Sequence, residues 1–219
     1  MGTASQALGD GVPDRTGTAP RTLLITCGAL AREVLALIEA NGWRHFEVAA
    51  VPAILHNRPE RIADAVRRKI RAVGDGFERI LVLYGDCGTG GGLDAMLAGQ
   101  GVERIPGPHC YSFYAGEAVF DALAEARPGT FYLTDYLARH FESLIVRGLG
   151  LDRHPELRED YFANYTDLVY LAQRKDANLE ARARQAAERL GLAYSHRYTG
   201  YGELGDFLNR ATTQAAADG

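Results

Sequence analysis

The residues with the clearest capacity for chemistry are three cysteines, each placed after a predicted strand. Cys27 stands in a Thr-Cys-Gly sequence, Cys87 in Asp-Cys-Gly, and Cys110 directly follows a histidine. Thiolates are soft ligands that suit zinc, copper(I) and iron–sulfur clusters. We expect the chain in the cytoplasm, where thiols stay reduced. The cysteines are therefore expected to serve a metal site or catalysis rather than disulfides.

The cysteines lie too far apart in the sequence to form a local Cys-x-x-Cys knuckle. They meet only if their strands are parallel, because the carboxyl ends of parallel strands lie at one edge of a sheet. Three thiolates leave one position open, which fits a [4Fe–4S] cluster with a free iron or a zinc ion with an exchangeable fourth ligand. For each cysteine alone, the alternative is a small buried hydrophobe.

A glycine-rich turn surrounds Cys87. Residues 85–92 read GDCGTGGG and precede a short predicted helix. Glycine lets the backbone approach a ligand closely, so Gly88, Thr89 and Gly90 are predicted to bind the substrate. The turn matches neither a Walker motif nor GxGxxG. A tight turn without a ligand is the alternative.

Candidate proton carriers follow the same strands. His109 and Asp86 adjoin two of the cysteines, and His56 follows the second predicted strand. Histidine titrates near neutral pH, so both histidines are candidate acid–base groups, and Asp86 is a candidate base or partner. Whether His109 is instead a fourth ligand stays open. Arg58 is predicted to bind a carboxylate or phosphate and Tyr84 to line the site, with loop capping and core packing as the alternatives.

Alternating strands and helices must position these residues. Strands are predicted at 22–26, 46–51, 79–84, 102–106, 130–134, 166–171 and 193–198. Helices are predicted at 29–41, 59–73, 92–98, 113–126, 135–147, 155–164, 176–190 and 203–210. The order predicts an α/β, Rossmann-like fold with a mainly parallel sheet and helices on both faces. One domain is expected over 21–210, between a disordered leader (1–20) and tail (211–219).

Composition excludes several classes of partner. The net charge of −4 argues against a nucleic-acid surface and against a polybasic membrane surface. No apolar run approaches the roughly 20 residues of a membrane span, and residues 1–20 lack a signal-peptide pattern. We therefore expect a small-molecule substrate. The apolar segments 130–147 and 166–171 suit either a homo-oligomer interface or the core.

Several segments resemble the uncharacterised family named domain of unknown function 1638. They are LLITCGALAREV, LHNRPERI, LVLYGDCGTGG, HCYSFYAG, GTFYLTDYL and GLGLDRHPELRE, and they cover most of residues 22–171. The resemblance implies no settled activity. It does imply an association with corrinoid-dependent methyl transfer from methylamines or betaines. An acidic residue is expected between the histidine and the third cysteine in many relatives, whereas His109 and Cys110 are adjacent here.

Three functions are consistent with these residues. The first is an enzyme with an open metal or iron–sulfur site that acts on a small anionic substrate by lyase-type, desulfurising or methyl-group chemistry. The second is an accessory protein that carries a metal or cofactor for a corrinoid methyltransferase system. The third is a metal-free enzyme with one cysteine as nucleophile. Glu33, on the first predicted helix, is expected on a solvated face.

Overall fold

Parallel strands form the framework of the computed structural model, which describes residues 20–217. The strands in that range are β1 (Thr22–Cys27), β2 (Phe46–Val51), β3 (Arg79–Leu83), β4 (Glu103–Arg104), β5 (Thr130–Leu133), β6 (Asp167–Ala172) and β7 (Ala193–Tyr198). They pair in parallel in two sheets, a first of order β2-β1-β3-β4 and a second of order β5-β6-β7.

Helices follow most of the strands and complete the predicted α/β class. They are α1 (Ala31–Asn41), α2 (Ile62–Val73), α3 (Gly92–Leu97), α4 (Cys110–Ala115), α5 (Glu117–Ala126), α6 (Asp135–Phe141), α7 (Leu157–Phe162), α8 (Ala177–Leu190) and α9 (Gly202–Ala217). Single 3₁₀ turns at Ala53–Asn57 and Pro59–Arg61 lead into α2. The predicted fold class is therefore confirmed.

The division into two sheets differs from the single sheet that the sequence predicts. β4 covers only Glu103–Arg104 of the predicted 102–106 strand, and an Ile-Pro-Gly-Pro segment follows it. Proline has no backbone N–H to donate, and Gly107 adopts a φ of +123°, so the ladder cannot continue there. The next strand, β5, pairs with β6 instead and begins the second sheet.

Two predicted helices are interrupted. The helix predicted at 113–126 is divided into α4 and α5 at Gly116, whose φ is +82°. The helix predicted at 135–147 consists of α6 followed by a π-helical turn at Glu142–Val146. Such π turns are rare and are found often at functional sites.

The last helix is longer than predicted. α9 extends to Ala217, so most of the segment predicted as a tail is helical. The remainder of that tail (218–219) and residues 1–19 of the predicted leader lie outside the described residues.

β1 is the central strand of the first sheet and is buried at every position. Its neighbours are β2 on one side and β3 on the other, and Leu24 and Ile25 are fully buried. A strand covered on both faces reads as a continuous apolar run, as this one does. Its last residue, Cys27, is therefore held rigidly in the core.

Helix α9 connects the end of the second sheet with the core of the first. It follows β7, yet Leu204 and Leu208 are buried in the core cluster that contains β1 and β3. A Cβ on Gly202 would collide with the backbone carbonyl oxygens of Phe113 and Tyr114, so α9 begins in direct contact with α4. Within residues 20–217, no helix combines the length and apolar character that a membrane span needs.

Candidate functional site

The structure places the three cysteines at the carboxyl edge of the first sheet, as their spacing predicts. Cys27 ends β1, Cys87 follows β3 after a short loop, and Cys110 begins α4 after β4. All three are free thiols. Besides burial, the charge of Cys27 raises the pKa of Cys87, and the charges of Cys87 and Cys27 raise the pKa of Cys110. Strands β1, β3 and β4 are consecutive neighbours in the sheet, which explains the convergence.

The thiols are neighbours but do not converge on a single point. No group of three or more His, Cys, Asp or Glu side chains in residues 20–217 is arranged to hold one metal ion. Tetrahedral zinc needs every thiolate sulfur within about 2.3 Å of the ion. A [4Fe–4S] cluster binds each thiolate to a different iron and so holds the sulfurs further apart. By their chemistry, the three soft thiols suit either group.

Cys87 has an unusual backbone conformation. Its φ is +48°, the only positive value among the non-glycine residues of the described chain. The left-handed region costs a non-glycine residue on the order of 1–3 kcal/mol, and such strain persists only where the surroundings impose it. Here the Cys87 N–H donates to the Pro108 carbonyl at 2.7 Å, and the Asp86 N–H donates to the Gly107 carbonyl at 3.1 Å.

The loop that carries Cys87 touches the segment that leads to Cys110, backbone against backbone. A Cβ built on Gly85 would lie 2.6 Å from the His109 Cα and 2.8 Å from the His109 nitrogen. No side chain fits in that space. Gly85 is thus required for the approach of the second and third cysteines.

Arg104 binds both the loop after β3 and the segment before α4. The sequence pattern did not identify this residue. Its guanidinium donates to the carbonyls of Tyr84 and Ile105, each at 2.9 Å, and forms a two-point ion pair with Asp94 at 2.6 and 2.8 Å. Its positive charge also favours ionisation of the Cys87 thiol. No local signal identifies this role, since Arg104 lies on a two-residue strand in an unremarkable sequence.

Asp86 and the glycine-rich turn bind each other. The Asp86 carboxylate accepts from the Thr89 hydroxyl, from the Gly90 N–H at 3.1 Å and from the Gly91 N–H at 2.8 Å. The hydrogen bond from Thr89 is the main cause that lowers the pKa of Asp86. The amides of Gly90 and Gly91 are therefore engaged within the turn, and exposed Gly88 packs near Pro59.

Tyr84 and His56 stack beside the cysteines. Their ring centroids are 5.6 Å apart with an interplanar angle of 16°. Tyr84 is fully buried, and burial, followed by the charge of Cys27, raises the pKa of its hydroxyl. His56 Nδ1 lies 2.7 Å from the Ala53 carbonyl oxygen. A carbonyl oxygen only accepts, so Nδ1 carries a proton in this contact, and the acceptor of the corresponding neutral tautomer is Nε2.

A cavity of about 280 Å³ opens beside Cys87 and Cys110. Its first wall comes from loops of the first sheet: Ala29, Ala53, Ile54, His56, Asn57, Cys87, His109, Cys110 and Tyr111. Its second wall comes from β5, α6 and the π-helical turn: Phe131, Thr134, Tyr136, Leu137, Leu144 and Ile145. The cavity therefore lies where the two sheets face each other.

The remaining predicted site residues divide between the cavity and the surface. His109 lies in the first wall, packs edge-on against Phe120 at 4.8 Å, and has a pKa lowered by burial. Arg58 is exposed and is not part of either wall. The structure thus brings His56, His109 and the cysteines together and leaves Arg58 outside.

A buried carboxyl pair lies close to the cysteines and was missed by sequence reasoning. Glu33 on α1 is 2% exposed, contrary to the predicted solvated face, and its Oε2 has no hydrogen-bond partner among the described residues. Burial raises its pKa, and the charge of Asp135 raises it further. Glu33 also raises the pKa of Cys110. The signal was available, because Glu33 shares a helical face with Leu30 and Leu37.

Asp135 is the better-satisfied member of the pair. It is fully buried at the start of α6, and its Oδ1 accepts from the Tyr170 hydroxyl at 2.7 Å and from the Gln173 N–H at 3.0 Å. Its own N–H donates to the Gln173 side chain at 2.8 Å. The Nε of Arg174 lies 3.8 Å from Oδ2. These contacts fix the carboxyl end of the second sheet opposite Glu33.

Comparison with protein families identifies the family of this chain. Residues 50–208 match the model of the family described as "Protein of unknown function (DUF1638)". The chain belongs to this family. The matched range contains Cys87 and Cys110, whereas Cys27 and β1 precede it. No curated protein and no solved structure matches this DUF1638 member.

The contact at Gly85 predicts a selective loss of stability. Gly85→Ala places a methyl group against the His109 backbone and is expected to lower the free energy of unfolding by about 2 kcal/mol or more. Urea denaturation of the purified chain measures this. Gly76→Ala is the matched control, because a Cβ at Gly76 meets nothing within 4 Å. Equal effects of the two substitutions would contradict the proposed constraint.

The raised pKa of Glu33 predicts a pH-dependent effect of its substitution. Folded Glu33 holds its proton more tightly than unfolded Glu33 does, so its stabilising contribution is present below the unfolded pKa. That contribution is lost as pH rises through the folded pKa. Glu33→Gln is therefore expected to raise Tm relative to wild type more at pH 8 than at pH 5, by roughly 2–4 °C.

Thermal denaturation at the two pH values measures the difference. Glu39→Gln on the exposed side of the same helix is the control and should show no such pH dependence. A gain for Glu33→Gln that is equal at both pH values would mean that Glu33 is charged alike in the folded and unfolded chain.

Proposed function

We propose that Cys27, Cys87 and Cys110 hold a [4Fe–4S] cluster, and that the chain is an enzyme that binds a small molecule at the iron without a cysteine ligand. The observation that carries the proposal is the meeting of three thiols at one sheet edge, two of them in the wall of a cavity. Three thiolates leave one iron of a cubane cluster open, and the cavity provides the space for a ligand.

The ionisation of the thiols supports a metal-bearing site over a metal-free thiol enzyme. Burial raises the pKa of Cys27 to about 11 and that of Cys87 to about 12. Burial also raises the pKa of Cys110. A nucleophilic cysteine needs a lowered pKa, because the thiolate is the reactive form. Neutral buried thiols become good ligands only when a metal replaces their protons.

The surroundings of the thiols suit bound thiolates. The Ala29 N–H lies 3.3 Å from the Cys27 sulfur, and the buried Tyr84 hydroxyl lowers the pKa of Cys27 against the larger effect of burial. Arg104 supplies positive charge near Cys87. Hydrogen bonds and charge around cysteine sulfurs tune the potential of an iron–sulfur cluster. These three groups are the candidates for that role.

A lyase-type reaction is the chemistry that these side chains serve best. When the cluster is bound, its open iron would supply a Lewis acid for a polar group of the substrate. His56 is oriented by the Ala53 carbonyl, keeps Nε2 as an acceptor and lines the cavity, so it is placed to take up the proton that the substrate loses. His109, kept neutral by burial, is suited to hydrogen bonding in the same wall.

The carrier alternative is less consistent with the burial of the site. An accessory protein that delivers metal or a cofactor to a corrinoid methyltransferase must release its cargo to a partner. Cys27 is only 3% exposed, at the end of the central strand. A ligand in that position favours a resident group over a transferred one.

Metal analysis tests the proposal directly. The chain purified without oxygen, and reconstituted with iron and sulfide if required, is expected to contain about four irons and four sulfides and to absorb in the visible range. Cys27→Ser, Cys87→Ser and Cys110→Ser should each lose most of this iron.

Ser195→Ala is the control, because Ser195 lies on β7 in the second sheet. It should keep the wild-type iron content. One zinc and no iron in the wild-type chain would replace the cluster with a zinc site. No metal under any condition would overturn the proposal.

A further inference from the structure

The two walls of the cavity differ in chemistry. The first wall carries most of the polar atoms, in His56, Asn57 and His109, together with the thiols of Cys87 and Cys110. The second wall is largely hydrocarbon, from Phe131, Leu137, Leu144 and Ile145. A ligand that fills the cavity would therefore meet polar groups on one side and apolar groups on the other.

The described lining of the cavity holds no permanently charged side chain. The lining residues of the described chain include no Lys, Arg, Asp or Glu. The groups predicted to bind an anion do not face the cavity. Arg58 is exposed and lies in neither wall, and the Gly90 and Gly91 N–H groups donate to the Asp86 carboxylate. Burying an ion in such a cavity without a counter-charge is costly.

A π-helical turn supplies part of the second wall. Leu144 and Ile145 belong to the π-helical turn that follows α6, and both reach the cavity. The π turn adds a residue to the helical circuit, which alters the face that its side chains present. The polar groups of this wall are two hydroxyls: that of Thr134, the N-cap of α6, whose oxygen accepts from the Leu137 N–H at 3.4 Å, and that of Tyr136.

From these walls we infer that the cavity binds an uncharged, largely apolar small molecule. Its single polar group faces His56 and the cysteines, and its hydrocarbon part contacts the second wall. That this molecule is the substrate rests on the proposed function; that it binds does not. The volume of about 280 Å³ lies at the lower end of small-molecule sites and suits a single ring with a short chain.

Three probes of nearly equal shape separate charge from size. They are phenylpropanol, phenylpropanoate and phenylpropylamine, which are neutral, anionic and cationic at pH 7. Binding to the full chain is measured by ligand-observed NMR and by thermal shift. Phenylpropanol is expected to bind at least about tenfold more tightly than either charged probe, because each ion loses its hydration without gaining a partner.

Two substitutions locate the binding. Ile54→Trp is set at the cavity rim, where Ile54 is 51% exposed and the larger ring can be accommodated without unfolding. Leu144→Trp fills the second wall. Each is expected to weaken phenylpropanol binding at least about fivefold, by occupying the volume that the probe needs. Leu35→Trp is the control, because Leu35 is 53% exposed on α1 and lies in neither wall.

The outcomes separate this inference from the proposed function. Selective binding of phenylpropanol, lost in Ile54→Trp and kept in Leu35→Trp, supports the inference whether or not the chain carries iron. Equal or tighter binding of phenylpropanoate, or no binding of any probe, overturns it even if the cluster is present. The measurements are made on iron-free and on iron-loaded protein. Binding that is lost only in the iron-loaded protein would show that cluster and ligand cannot occupy the cavity together, and it would overturn the assignment of this molecule as the substrate.

Discussion

The site depends on the backbone contact between the loop after β3 and the segment before α4. At Gly85 the two chains are so close that no Cβ fits between them. The contact holds Cys87 in a left-handed conformation that costs on the order of 1–3 kcal/mol. Two backbone hydrogen bonds, worth about 0.5–1.5 kcal/mol each, offset a cost of that size. Arg104 adds a charged clamp across the same loops, so the second and third cysteines are positioned by a small number of strong local constraints.

The second sheet supplies the cavity wall that lies opposite the cysteines. The carboxyl ends of both sheets face one cavity, because β5 and α6 supply the wall opposite the cysteines. The same junction buries Glu33 from the first sheet near Asp135 from the second. Helix α9 then returns from β7 to pack in the first core. The division into two sheets therefore creates the site, since one continuous sheet would leave the cysteine edge open to solvent.

Local patterns predicted the elements, and parallel topology predicted the meeting of the cysteines. β2 and β7 have the predicted bounds because apolar runs between turn residues are read within a few positions. The split into two sheets was not predictable in this way, because it depends on the pairing of β5 with β6 rather than with β4. The hydrogen bonds of Asp86 within its turn and the role of Arg104 were not predictable for a related reason. Their partners are decided by loop geometry, which the spacing of residue types does not encode.

The electrostatics of the site connect the proposed cluster with the proposed ligand. Burial is the main cause that raises the pKa of Cys87 and of Cys110. The charge of Cys27 raises the pKa of Cys87 further, and the charges of Cys87, Cys27 and Glu33 raise that of Cys110, so the ionised forms repel. Ionised thiols are stable there only beside a cation, and the positively charged iron of a cluster meets that need. Arg104 is the nearby protein cation that acts on Cys87, and Asp94 already neutralises much of its charge. The described cavity walls supply no Lys or Arg to pair with a negatively charged substrate, whereas a neutral substrate needs no such partner. The burial that makes the thiols suitable ligands therefore also restricts what can bind beside them.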